Sequence, residues 1–85
     1  MSWTLRVAHR AEKSLAKNPA KDRARLLAAL GEMQDDPFSG DVVRLQGEEN
    51  TWRRRVGSYR IIFEVDIKGL TIDVLDVARR TSTTY

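Results

Sequence analysis

An α+β fold of order β-α-α-β-β-β, with a helix hairpin packed on one face of a small, mostly antiparallel twisted sheet, follows from three observations. Apolar residues alternate with period two at Trp3, Leu5 and Val7, recur at helical spacing from Ala11 to Met33, and return to period two after Gly40. Turn dipeptides, Gly57-Ser58 and Lys68-Gly69, separate the later apolar runs. The length, 85 residues, suits a single domain spanning 1–85.

The elements follow in order. Trp3, Leu5 and Val7 face one way and Thr4, Arg6 and Ala8 the other, which predicts a first strand over about residues 2–8. Ala8, Ala11 and Leu15 then fit a short helix ending before Asn18-Pro19. Asn18 suits the N-cap of a second helix and Pro19 its first position, where the missing N–H would be unpaired anyway. At about 100° per residue, Leu26, Leu27, Leu30 and Met33 share one face about 120° wide. Asp35, Asp36, Pro37 and Gly40 end that helix, and the short link makes the two helices an antiparallel hairpin. Val43 and Leu45 fit a brief strand that adds to the sheet if it pairs, and Gln46 to Asn50 a polar loop. Trp52 to Val56 and Tyr59 to Asp66 are strands joined by a two-residue turn with Gly first, which fits type II′. Leu70 to Ala78 is rich in β-branched residues and apolar on both faces, which predicts a central strand covered at least in part on both sides.

Composition narrows the chemistry. A chain of this length buries only about 60% of its unfolded surface, so its site is expected on the surface or in a shallow groove. There is no cysteine, hence no disulfide, thiolate nucleophile or thiolate zinc site, and no metal or organic cofactor is called for. No apolar run approaches the roughly 18 residues that span a bilayer. The first residues lack the pattern of a signal peptide, which gives the expectation of a cytoplasmic protein without a membrane role.

The formal net charge of +3 is local. Residues 1–51 carry eight basic and eight acidic side chains, whereas residues 52–85 carry seven basic and four acidic. Within Trp52 to Arg60 stand four arginines and no acid, the footprint of a polyanionic partner. The two-residue turn fixes the register: Arg55 faces Arg60, Arg54 faces Ile61, Arg53 faces Ile62 and Trp52 faces Phe63. Arg53, Arg55, Arg60, Ile62 and Glu64 thus share one face, and Trp52, Val56, Tyr59, Ile61 and Phe63 form the core face. Arg54 points to the core side, where it either reaches past the edge or finds an acidic partner. An opposed Arg55–Arg60 pair is destabilising in a sheet. It is either a solvated face neutralised by Glu64 and other acids, or a phosphate site of forked guanidiniums. Trp3 and Trp52 share strand phase with core residues, so packing rather than base stacking is expected of both. Beyond the last strand follow Arg79, Arg80 and, on a short polar tail, Tyr85; read blandly, they are a solubilising strand end and a frayed terminus.

These residues resemble the RelE family within the RelE/ParE toxins, the toxin half of type II toxin-antitoxin pairs. The resemblance covers nearly the whole chain: the element order, the Ala11 to Leu15 helix start, Asp36-Pro-Phe38, Leu45-Gln-Gly47, and above all Trp52-Arg-Arg-Arg-Val-Gly-Ser-Tyr-Arg60 followed by Arg79-Arg80 and Tyr85. It implies a metal-independent mRNA endoribonuclease in which the ribose 2′-OH attacks the adjacent phosphate, commonly in the ribosomal A site. Its partners would be mRNA, the ribosome and a cognate antitoxin, RelB-like or of another class. It implies catalytic roles for Arg53, Arg55, Arg60, Arg80 and Tyr85, with Arg54 and Arg79 as RNA and phosphate contacts. Arginine is too basic to accept a proton, so the arginines stabilise charge and Tyr85 is the candidate base. Many family members carry lysine at the positions of Arg53 or Arg55 and some a histidine near Arg79. Here the only histidine is His9, for which a helix-start or surface role is expected, and Glu48 and Glu49 are expected in a solvated loop. The alternatives are a ParE-like toxin that poisons DNA gyrase without cutting RNA, and a catalytically degenerate RelE-like binding protein.

Overall fold

The computed structural model describes residues 2–47 and 49–79. The chain runs β1 (Thr4–Val7), α1 (His9–Lys17), α2 (Ala20–Asp35), β2 (Asp41–Arg44), β3 (Thr51–Val56), β4 (Tyr59–Asp66) and β5 (Thr71–Arg79). The sheet has five strands in the order β1-β5-β4-β3-β2. β1 pairs parallel to β5, and the other neighbours are antiparallel. The helices therefore carry the chain from one edge of the sheet to the other, and β2 to β5 meander back until β5 meets β1.

The α+β class and the central place of the last strand agree with the sequence, and the brief strand near Val43 does pair, over Asp41–Arg44. Boundaries move slightly. β1 is shorter than expected because the Trp3 N–H donates to the Gln34 carbonyl at 2.7 Å, tying the N-terminus to the end of α2 rather than to the sheet. Asn18 closes α1, its N–H donating to the Leu15 carbonyl at 3.2 Å, and Pro19 rather than Asn18 occupies the N-cap of α2.

The core lies between the helices and one face of the sheet: Ala11 and Leu15; Leu26, Ala29, Leu30 and Met33; Tyr59, Ile61, Phe63 and Val65; Ile72, Val74 and Val77. Leu27, expected in that set, is 53% exposed. Ala29 replaces it because the buried stripe is centred on Met33 and Leu26. On about 100° per residue, Ala29 falls on the near side of that stripe and Leu27 beyond its far edge. The two-sided apolar character of β5 also has a different origin from double coverage. Ile62 pairs with Asp76 but Phe63 with Val74, so Leu75 is an extra residue in a bulge. The bulge shifts side-chain parity and brings Val77 onto the same face as Ile72 and Val74, all three at most 3% exposed. The helices cover that face, leaving the other side of the sheet without a helical layer.

Candidate nucleic-acid interface

The β3–β4 hairpin has the register that its turn dictates. Gly57 sits at φ +56° and Ser58 is not among the positive-φ residues, the combination a type II′ turn requires. Arg55 consequently lies across from Arg60, Arg53 from Ile62, Trp52 from Phe63 and Val56 from Tyr59. Pairing with the flanking strands extends this into two rows on the open face. One runs Asp41, Arg55, Arg60, Ala78; the other runs Val43, Arg53, Ile62, Asp76.

Arg55 and Arg60 are exposed and Arg53 is half-buried. Among the described residues none of the three makes an ion pair, although acids share the face. Two of those acids are engaged elsewhere. Asp73 holds Arg6 through two hydrogen bonds of 2.7 and 3.1 Å, and Asp76 lies 3.5 Å from Arg10. Glu64, aligned with Thr51 and Asp73 in the next row beyond Arg53, and Asp41, aligned with Arg55, share the face without closing an ion pair with Arg53, Arg55 or Arg60. Nη1 of Arg53 is buried with no hydrogen-bond acceptor among the described residues. A donor in that state costs about 1–3 kcal/mol until an acceptor arrives. The face thus holds three guanidiniums with free donor capacity beside the apolar Ile62 and Val43, and it can take a phosphate diester with its flanking sugar or base.

Arg54 and Arg79 do not belong to that face. Arg54 is 7% exposed and points under the sheet toward α2. Its Nη2 is ion-paired with Glu32, and its Nη1 donates to the Ala29 carbonyl at 3.4 Å and to Ser39 Oγ at 3.3 Å. Gly40 makes room for it: at φ +79°, a Cβ there would come within 3.1 Å of the guanidinium. The expectation that Arg54 binds phosphate is therefore corrected; of the two fates open to it, it finds the acidic partner. Arg79 is exposed and aligned with Tyr59, which puts it on the helix side of the sheet, apart from Arg53, Arg55 and Arg60. The Tyr59 hydroxyl donates to Asp22 Oδ2 at 2.7 Å. That hydrogen bond, with burial and the Asp22 charge, raises the Tyr59 pKa above 10.0, and the positive charge of Arg79 acts weakly the other way.

Arg80 and Tyr85, expected to act in catalysis, lie outside the described residues, as does Glu48. His9 is the exposed first residue of α1, and Glu49 is exposed in the loop before β3. Trp3 and Trp52 pack against the core as their strand phase predicts, and Trp52 meets Phe38 edge to face with ring centroids 4.8 Å apart. Asp41 beside Arg55 and Arg10 beside Asp76 were not anticipated. Asp41 would have been placed by extending the brief strand before Val43 back two residues, whereas nothing in the local pattern marks Arg10. Among the described residues no group of three or more His, Asp or Glu side chains could hold a metal ion, and no helix is long and apolar enough to cross a membrane.

Comparison with known proteins places this geometry. The family model for the ParE toxin of the type II toxin-antitoxin system parDE matches residues 5–83. The chain belongs to the ParE toxin family, within the RelE/ParE superfamily. The toxin resembles solved structures along nearly its whole length. The toxin–antitoxin complex RelBE2 from Mycobacterium tuberculosis matches at 27% identity and TM-score 0.83, over 94% of this chain and 100% of that one. The archaeal RelE–RelB complex from Pyrococcus horikoshii matches at 25% identity and TM-score 0.84, over 98% and 100%. The RelB–RelE antitoxin–toxin complex from Methanococcus jannaschii matches at 30% identity and TM-score 0.73, over 87% and 88%. No curated protein matches the sequence. These relatives are toxins crystallised with RelB antitoxins, and their two-helix, mixed-sheet fold is the one described above.

Proposed function

We propose that this toxin is an endoribonuclease that cuts mRNA and thereby inhibits translation, acting in the ribosomal A site. The observation that carries this reading is the Arg55–Arg60 pair, with Arg53 beside it, on a face where no described acid closes an ion pair with any of the three. In the reaction the ribose 2′-oxygen attacks the adjacent phosphorus and the bond from phosphorus to the 5′-oxygen breaks, leaving a 2′,3′-cyclic phosphate. Negative charge grows on the non-bridging oxygens at the transition state, and fixed guanidiniums aimed there stabilise it without reorganising. Arg55 and Arg60 clamp those oxygens; Arg53, with a buried unpaired Nη1, holds the flanking phosphate in line. Tyr85 takes the 2′-OH proton, Arg80 orients the phosphate or assists the leaving group, and the departing 5′-oxygen takes a proton from water to become a 5′-hydroxyl. A cognate antitoxin neutralises the protein, as RelB accompanies the relatives.

A second reading, a toxin that poisons DNA gyrase, is favoured by one observation: the matching family model is that of ParE. Incubating purified toxin with programmed ribosomes, and separately with gyrase and relaxed plasmid, separates the two. The nuclease reading expects mRNA fragments ending in a cyclic phosphate and normal supercoiling. Intact mRNA beside blocked supercoiling supports the second.

A further inference from the structure

The basic surface continues round the tip of the β3–β4 hairpin onto the helix side. Arg25 of α2 lies against the turn: a Cβ on Gly57 would come within 2.9 Å of its Nη2. Arg79 stands across from Tyr59 on that same side and is exposed. Arg55 and Arg60 flank the tip on the open side. Four arginines from α2, β3, β4 and β5 thus encircle one end of the sheet, and among the described residues none of them makes an ion pair. Two nearby carboxylates do not neutralise the ring. Asp22 accepts the Tyr59 hydroxyl, and Asp41 flanks only Arg55. Gly57, with no side chain, leaves the turn open for Arg25 to lie against it.

We propose that Arg25 and Arg79 bind backbone phosphates of the same RNA strand, next to the phosphate held by Arg55 and Arg60, so that the strand turns round the hairpin tip from the open face toward α2. The proposal rests on the nuclease reading of the open face and adds to it a strand path and a minimum substrate length. The occupant is a flexible single strand, because a duplex cannot bend round one end of a five-stranded sheet. The contacts are to backbone, so they set affinity and salt dependence rather than sequence preference.

The test uses the full chain and uncleavable 2′-O-methyl oligoribonucleotides of three and nine nucleotides, with affinity followed by fluorescence anisotropy across a salt series. For the Arg25→Gln, Arg79→Gln double variant, the nine-mer to three-mer affinity ratio is expected to fall about 10-fold. The salt slope for the nine-mer falls by about 1.4, two phosphates' worth on a single strand. An unchanged ratio and slope, with both probes weakened by Arg60→Gln, overturns the strand path and leaves the nuclease reading standing. Affinities insensitive to Arg60→Gln overturn both. A poly-glutamate peptide that binds as tightly as the nine-mer, and weakens equally in the double variant, makes the ring an acidic-protein site and also overturns the proposal.

Discussion

Arg55 on β3 lies directly across from Arg60 on β4, with Asp41 outside the one and Ala78 beyond the other. A small alanine in that row leaves the Arg60 guanidinium open on its β5 side, and no described acid closes an ion pair with either arginine. Like charges opposed across two strands work against the fold. Arg60→Ala is therefore expected to leave unfolding stability unchanged or raised by up to about 0.5 kcal/mol in urea melts. The same variant should lose about 100-fold or more in RNA cleavage, the scale of removing one preorganised donor from a transition state.

Arg54 gives the opposite expectation, since its role is under the sheet. Glu32→Gln removes the carboxylate and leaves the Arg54 guanidinium buried beside only Ala29 and Ser39. The Glu32 side chain is 63% exposed, so water softens the loss to about 2 kcal/mol, below the figure for a fully buried pair. Arg54→Leu removes the charge together with an Nε that has no partner among the described residues, and should stay within about 1 kcal/mol of the parent. Urea melts of the two variants decide this; equal losses would contradict the buried-charge argument.

The hydrogen bond from Tyr59 to Asp22 makes stability depend on pH at the alkaline end. The folded protein holds the Tyr59 proton more tightly than the unfolded chain does, so its pKa is raised above 10.0. The stabilisation is fully present below the unfolded value and is lost as pH rises through the folded one. Unfolding free energy followed from pH 8 to 11 should fall more steeply for the parent than for Tyr59→Phe, the two curves converging at the top of the range. Parallel curves would mean that the bond does not persist in solution.

The exposure of Leu27 separates it sharply from its neighbour. Leu26→Ala empties a fully buried position and should cost about 2–5 kcal/mol, while Leu27→Ala should change stability by less than about 0.5 kcal/mol. Thermal melts of both variants check the helix phase directly.

What was legible in the sequence was whatever a local rule fixes. Gly57-Ser58 sets a turn type, the turn sets a register, and the register alone places Arg53, Arg55 and Arg60 on one face and Trp52 on the other. What stayed hidden depended on non-local partners. The Arg54–Glu32 and Tyr59–Asp22 links join residues 22 and 37 positions apart, and nothing near Glu32 or Asp22 announces them. The Leu75 bulge inverts the parity of β5 midway, so strict alternation misplaces Val77 and puts Arg79 on the wrong side. Leu27 misled for a related reason: a face 120° wide was drawn through four large residues, and the smaller Ala29 completes the stripe instead.

Mapping transcript ends after brief induction of the parent toxin and of Arg60→Ala tests most directly whether the open arginine face cuts RNA. The face predicts new 5′ ends within coding sequences for the parent and none for Arg60→Ala at equal protein level. Intact transcripts in cells making the parent, together with loss of gyrase supercoiling, would contradict it.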